Sequence, residues 1–485
     1  MSVSTFNGIN IAMRGLIAQQ RALDTTTHNI ANANTEGYTR QEAVLEAADP
    51  ISNVSVWGMI FPGQLGQGVT VDSYRRIRDV FNDVQLRSAV SDQSALDVRY
   101  RELHAISLAI PEPSDNGLQA LVQNFFNAWH DVSNNPESLA ARQALAQAGQ
   151  SLTGAFNHAS TTFTQMRAND DTEIDADITD ANSILQQISD LNGQIGQLVL
   201  AGAQLDPNTL QVVKPGQVPN DLLDRRDLLL DNLGKLANIT SVTYDDQNRA
   251  TVVVAGLTAV TPTGGATPIT RAQIDAQFAS GALSGGALQG LEDAYQNFLN
   301  EANATSYPAQ LNTLAQALHD AVNAQHALGA DLGGNAGGIF FDFSSATGPP
   351  GAAGRIMMSA AIMASPATIA AGATGQGPGS STNANAMVAL QDAVTTGGTT
   401  FLDYYNGLQS GLGTATQSTA RSQDAQQIIV SGLSDRRNAA SGVSLDEEMT
   451  NMIKFQHAYA AASRVLSAMD ENLDRLINNT GRVGL

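Results

Sequence analysis

The chain carries a seven-residue apolar repeat at each of its two ends, and no other feature of the sequence restricts its fold as much. At the start, Ile9, Leu16, Leu23 and Ile30 recur every seven residues with Met13 beside them. At the end, Met452, Tyr459, Leu466 and Leu473 hold one heptad position, and Phe455, Ala462, Met469 and Leu476 the position three residues later. Such spacing draws one continuous stripe along a helix, and a stripe of that kind is buried by another helix. The two ends therefore predict a coiled-coil pair, the first stripe set against the second, so that the chain starts and finishes at the same place. The last helix has a marked start and stop: Ser444 precedes the acidic Asp446, Glu447 and Glu448, where the helix dipole favours negative charge, and Gly481 follows the final apolar position.

Between these ends the pattern is concentric. After the Asn-rich run from Asn29, Glu36-Gly37-Tyr38 breaks the first helix, and the stretch to about Ser73 is expected to be extended or loop-like, with Gly63, Gly66 and Gly68 as punctuation. A second helix is predicted from Asp79 to about Ile110, closed by Pro111 and Pro113, and a shorter one holds Leu118, Val122, Phe125, Phe126, Trp129 and Val132. No proline occurs from Glu137 to Gly202, where Ile174, Ala181, Ile188 and Ile195 form a heptad row with Ile178, Leu185 and Val199 alongside. Such a helix would be on the order of 100 Å long.

Two β-branched runs, from Ile239 and from Thr251, flank the turn residues Asp245 to Asn248 and predict a small β element. Helix resumes near Ala287 with a break at Pro308, continues through Leu311, Leu314, Leu318 and Val322, and ends in the glycines from Gly329 to Gly338. Residues 344–398 are rich in Gly, Ala, Ser and Thr, include Pro349 and Pro350, and read as a small, weakly cored insert before periodicity returns at Phe401, Tyr405, Leu408 and Leu412. The expected fold is mainly α: terminal coiled-coil helices plus a long-helix bundle with a small β subdomain and a short variable Gly/Ala-rich insert. The expected division sets 1–75 with 441–485 as a terminal domain, 76–343 with 399–440 as a helical-bundle domain carrying the β element near 238–285, and 344–398 as an outer insert.

Composition removes several function classes. With 46 acidic against 25 basic residues the formal net charge is -21 at pH 7, so nucleic acid and anionic lipid are not expected partners. No run approaches the ~20 apolar residues of a membrane span, and the first residues lack the segments of a cleaved signal peptide. Cysteine is absent, which removes disulfides and thiolate chemistry together.

Motifs for catalysis are equally scarce, and no catalytic, cofactor-binding or metal-ligating residues are expected. His319 and His326 lie seven apart on one helix and read as partly exposed helix histidines. The acidic run Asp170, Asp171, Glu173, Asp175, Asp177 and Asp180 reads as a solvated helix face or a helix start. Asp331 to Asn335 reads as a turn, and Asp224-Arg225-Arg226-Asp227 as an ion-pair cluster fixing the register of packed helices.

The segment Asn29-Ile-Ala-Asn-Ala-Asn-Thr-Glu-Gly-Tyr38-Thr-Arg40, with Asn29, Asn32, Asn34, Gly37 and Tyr38, resembles the N-terminal signature shared by rod, hook and hook-associated proteins of the bacterial flagellum. Pro219 to Asp227 and Ala321 to Gly329 resemble segments of the first hook-associated proteins, and Ser444 to Met449 with Lys454 to Tyr459 resembles their C-terminal helix. The resemblance implies a structural, extracellular axial subunit at the junction of hook and filament, exported unfolded through the flagellar type III apparatus. Its implied partners are copies of itself in a ring or helical layer, the hook protein, the second hook-filament junction protein, and an export chaperone on the C-terminal helix. The expected assembly residues are Ile9, Met13, Leu16, Leu23 and Ile30 against Met452, Phe455, Tyr459, Leu466, Met469, Leu473 and Leu476.

Overall fold

The computed structural model describes residues 7–50, 66–112, 114–115, 117–205, 212–214, 217–345 and 351–479; Gly63, Pro113, Pro349, Pro350 and Gly481 lie outside them. The chain opens with α1 (Asn7–Ala31), followed by the antiparallel strands β1 (Gln41–Ala47) and β2 (Val69–Arg76), paired from Gln41↔Arg76 to Ala47↔Val69 with a bulge between Val44 and Leu45. A hydrogen-bonded strand pair thus stands where the sequence suggested only an extended stretch. The ladder supplies the backbone partners that a loop would have to find in water.

Helix α2 (Val80–Ala109) is capped by Asp79, whose side chain accepts from the amides of Phe81 and Asn82. Next come α3 (Leu118–Asn134) and the 62-residue α4 (Leu139–Leu200), capped by Ser138. The short strands β3 (Gln204–Leu205) and β4 (Val212–Lys214) lead to α5 (Asn220–Leu236). The predicted β element is a four-stranded meander, β5 (Ile239–Tyr244), β6 (Ala250–Val254), β7 (Leu257–Thr261) and β8 (Gly265–Ala266), two strands more than the β-branched runs suggested.

Helix α6 (Arg271–Ser280), with a Thr270/Gln273 capping box, and α7 (Ala287–Asp293), which continues into a π turn at Ala294–Phe298, precede α8 (Tyr307–His326). Pro308 does not break a helix. It sits in the first turn of α8 behind the Ser306 cap, where a missing N–H leaves no bond unmade. Beyond α8, β9 (Gly329–Ala330), β10 (Phe341–Phe343), α9 (Ala352–Arg355), β11 (Ile356–Met358), α10 (Ala360–Ala364), β12 (Gly372–Ala373) and α11 (Thr382–Ala389) lead to the long α12 (Phe401–Ser441) and α13 (Leu445–Asn479).

Helix α4 is the spine. Its first half, through Leu145, Leu152, Phe156 and Phe163, packs into one core with α3, α8 and the start of α12. Its second half, through Ile174, Ile178, Ala181, Leu185 and Ile188, packs into another with α5, α7 and strands β6 and β7. Two asparagines on α4 fasten the neighbouring backbone to it. Buried Asn192 donates to the carbonyl of Ala250 and accepts from its amide, both at 2.8 Å, and Asn182 does the same for Ile269 at 2.9 and 2.7 Å.

Residues 351–398 are not weakly cored. Ala353, Ile356, Met358, Ile369, Ala371 and Met387 are buried in the first core, where small side chains let the strand pair β10–β11 approach α4 closely; a β-carbon at Gly149 would meet the Met358 sulfur at 2.5 Å. His326 is fully buried, not partly exposed, with Nε2 accepting from the Ala370 amide at 2.8 Å and Nδ1 facing the Gly338 carbonyl at 2.7 Å. Asp170 likewise departs from the solvated face expected of its acidic run and is buried, while Asp171, Asp175 and Asp180 stay exposed.

Candidate functional site

Helices α1 and α13 lie side by side and antiparallel. Two contacts fix how. At one end the Asn29 amide donates to Glu448 Oε2 at 3.0 Å; at the other, a β-carbon on Gly8 would meet the Met469 methyl at 2.5 Å. Gly8 to Asn29 and Glu448 to Met469 each span 21 residues, so one register runs through three heptads. It sets Ala22 beside Phe455, which line one cleft, and Gly15 beside Ala462.

On α13 the half-buried side is the heptad row read from sequence: Met452, Phe455, Tyr459, Ala462, Leu466, Met469 and Leu473. Leu476 belongs to α13, but its side chain lies outside the described residues. On α1 the seam is formed by small residues. Ala12, Ala18, Ala22, Thr26 and Asn29 are the buried ones, whereas Ile9, Leu16, Leu23 and Ile30 are half-buried and Met13 is 50% exposed. The large apolar residues of α1 run one position away from the row Gly8, Gly15, Ala22, Asn29, about 100° round the helix. They flank the seam instead of filling it. The apolar pattern shows which stripe is large; the tight α1–α13 approach selects the neighbouring stripe that is small.

The Asn-rich signature is the polar end of this seam. Buried Asn29 accepts at Oδ1 from the Tyr38 hydroxyl at 2.8 Å and from the Gln41 amide at 3.0 Å, and donates to the Gln41 carbonyl at 2.9 Å as well as to Glu448. It therefore ties α1 to β1 and to α13 at once. Arg40 closes the group, donating from Nε to Glu448 Oε1 at 2.7 Å and from a terminal nitrogen to Glu447 at 2.8 Å. Asn32 bonds the His28 carbonyl and receives the Thr35 hydroxyl, closing the end of α1, while Asn34 is exposed.

Gly37 has φ +76°, and a β-carbon there would approach Leu228 to 3.0 Å, so the turn needs glycine for both reasons. Burial and the nearby acids Asp221, Asp224 and Glu448 push the Tyr38 hydroxyl pKa up, which keeps it a proton donor to Asn29.

A belt of ion pairs fastens this terminal unit to the helical body. Asp224 accepts from the Thr39 amide at 3.0 Å and pairs with Arg76 at 2.9 Å, and Asp227 pairs with Arg76 at 2.7 Å and with Arg78. Arg437 on α12 pairs with Asp231 on α5 and Asp83 on α2. The cluster at Asp224–Asp227 thus joins α5 to the strand pair, while Arg226 turns inward to the Asn248 carbonyl and stacks over Tyr244. Sequence reasoning missed Glu448 and Arg40 as partners. The available signal was a glutamate at a heptad position, seven residues before Phe455. Among the described residues no cluster of three or more His, Asp or Glu side chains could hold a metal ion, and no helix is long and apolar enough to cross a membrane.

Residues 103–341 match the family described as flagellar hook-associated protein FlgK helical domain, residues 9–39 the flagella basal body rod protein family, and residues 437–479 the flagellar basal body rod FlgEFG protein C-terminal family. Flagellar hook-associated protein 1 of Bacillus subtilis is 35% identical over 519 residues, covering 99% of this chain and 99% of that protein. The proteins of the same name from Salmonella typhimurium and Escherichia coli are 27% and 28% identical, each covering 97% of this chain and 99% of theirs. Among solved structures, the flagellar hook junction protein FlgK from Burkholderia pseudomallei superposes with a TM-score of 0.57 at 18% identity, covering 74% of this chain and 100% of that one.

Proposed function

Since the chain belongs to the FlgK family of flagellar hook-associated proteins, we propose that it is an axial structural subunit joining hook to filament. It assembles with copies of itself as a ring or helical layer, with the hook protein on one side and the second junction protein on the other. It reaches that place outside the cell unfolded, through the flagellar type III system, with an export chaperone holding its C-terminal helix. Its work is structural, not catalytic, and its parts divide as terminal domain, helical body and the segment 344–398.

The observation that carries this reading is the antiparallel pairing of the chain's two ends by Asn29, Arg40 and Glu448, in a sequence that follows its relatives from end to end. Met452, Phe455, Tyr459, Leu466, Met469 and Leu473 face the seam, and Leu476 is assigned to the same assembly set from its heptad position in the sequence. Ile9, Met13, Leu16, Leu23 and Ile30 flank it with apolar surface that a neighbouring subunit's helices would cover.

Deleting the gene in its own bacterium, with electron microscopy of the cell surface and assay of flagellin in the medium, tests the proposal. Hooks without filaments, with flagellin shed, are expected; full motile filaments would overturn it.

A further inference from the structure

The apolar part of the α1–α13 seam is a poor ruler. The α1 row Gly8, Gly15, Ala22 offers a smooth face: a β-carbon added at Gly15 meets nothing among the described residues within 4 Å, and the contact at Gly8 is with the flexible end of Met469. Sliding α13 by one heptad, about 10 Å along the axis, would exchange one small-residue layer for another. The polar end behaves differently. The Glu448 side chain is only 2% exposed, and both its oxygens are satisfied, Oε2 by Asn29 and Oε1 by Arg40. One heptad away on α1 stands Ala22, which has no donor, and the opposite slip would set Phe455 against Asn29.

We propose that Glu448 is the specificity-determining residue of the terminal helix pair, the one that sets its heptad register and selects α1 over other apolar helices. A buried charge stranded without partners is costly, whereas its net contribution when paired is small, so the group acts by penalising every wrong alignment. Asn29 and Arg40 are its reading frame, which gives the asparagine and arginine of the N-terminal signature a physical task. The proposal rests on the terminal pair being the element that builds the axial layer.

The absence of cysteine makes the test direct. In the full-length chain, Ala22→Cys with Phe455→Cys reports the observed register, and Gly15→Cys with Phe455→Cys reports the one-heptad slip that sets Glu448 against Ala22. Under mild oxidation the first pair is expected to cross-link within the chain at least ~10 times more than the second, because a disulfide tolerates only short Cβ separations. Adding Glu448→Leu is expected to bring the slipped cross-link to within about 3-fold of the other, while Glu448→Gln, which keeps an acceptor for Asn29, preserves the original ratio. An unchanged ratio in the Glu448→Leu chain overturns the proposal. Loss of both cross-links in that chain also overturns it, since the carboxylate would then be needed for α13 to fold and not for its alignment. The readout lies within one chain, so failure here leaves the junction role standing, and a failed deletion phenotype leaves the register result standing.

Discussion

Asp170 on α4 is buried within reach of the charge of Glu102 on α2, and one of its carboxylate oxygens, Oδ2, has no hydrogen-bond partner among the described residues. Burial first, then the charges of Glu102 and Glu173, raise its pKa from 3.8 to about 7 against the opposing pull of Arg101. Asp177 is raised to about 6 and Glu292 to about 7, also chiefly by burial. A carboxyl raised in the folded state favours folding fully below its unfolded value, and that contribution is lost as pH climbs from about 4 through about 7. Asp170→Asn should therefore raise stability at pH 8 by about 2 kcal/mol, with the gain fading towards pH 5. Denaturant midpoints at the two values check this, and a gain independent of pH would show that the charge is not the cause.

His326 sets the opposite limb. Accepting from the Ala370 amide at Nε2 requires an unprotonated nitrogen, and burial holds the imidazole pKa below its usual 6.5, with nearby Arg142 adding to the effect. A depressed histidine contributes stability above the unfolded value and loses it as pH falls below about 6.5. The Trp129 ring lies 6.4 Å from His326, so its fluorescence in a Trp57→Phe background should report loosening of this aromatic core on acidification. In His326→Gln the acid response should flatten, at the expense of about 1–2 kcal/mol at pH 8.

Asn192 exchanges two hydrogen bonds with one residue, Ala250, at the start of β6, so replacing it leaves a buried amide and a buried carbonyl unpaired together. Asn192→Leu is expected to cost about 2–4 kcal/mol and to accelerate hydrogen exchange across β5 to β7. Protection unchanged at Val252 and Val254 would refute the stapling role.

The long helices were legible because their signals are local: Pro111 just beyond α2, and a proline-free heptad row in α4 whose Ile174, Ala181, Ile188 and Ile195 are all buried. The β1–β2 pair and the burial of residues 351–398 were not, because pairing partners and a core shared with α3 and α4 are distant in sequence. The site was half visible. The α13 stripe could be read directly, but the α1 seam is made of Gly8, Gly15, Ala18 and Ala22, and small residues leave no hydrophobic signature. His326 and Asp170 carry no local mark of burial either; their positions follow from which helix faces α4 and α8 turn inward.

Leu466 lies on the half-buried row of α13, and α13 packs chiefly on α1 and not on the helical body. In the register that pairs Gly8 with Met469, Leu466 stands opposite Ile11, so Leu466→Asp would set a carboxylate in an apolar layer, a penalty of about 3 kcal/mol to the helix pair. The body from α2 to α12 has its own cores, which this side chain does not join. Its thermal unfolding should thus stay within about 0.5 kcal/mol of the parent, with circular dichroism losing at most the helix of α1 and α13. Assembly is where the cost should appear. If the seam builds the axial layer, the variant is exported or purified as a folded body that forms no junctions; normal junctions from Leu466→Asp would remove the seam from the assembly mechanism, whatever the protein's place on the flagellum.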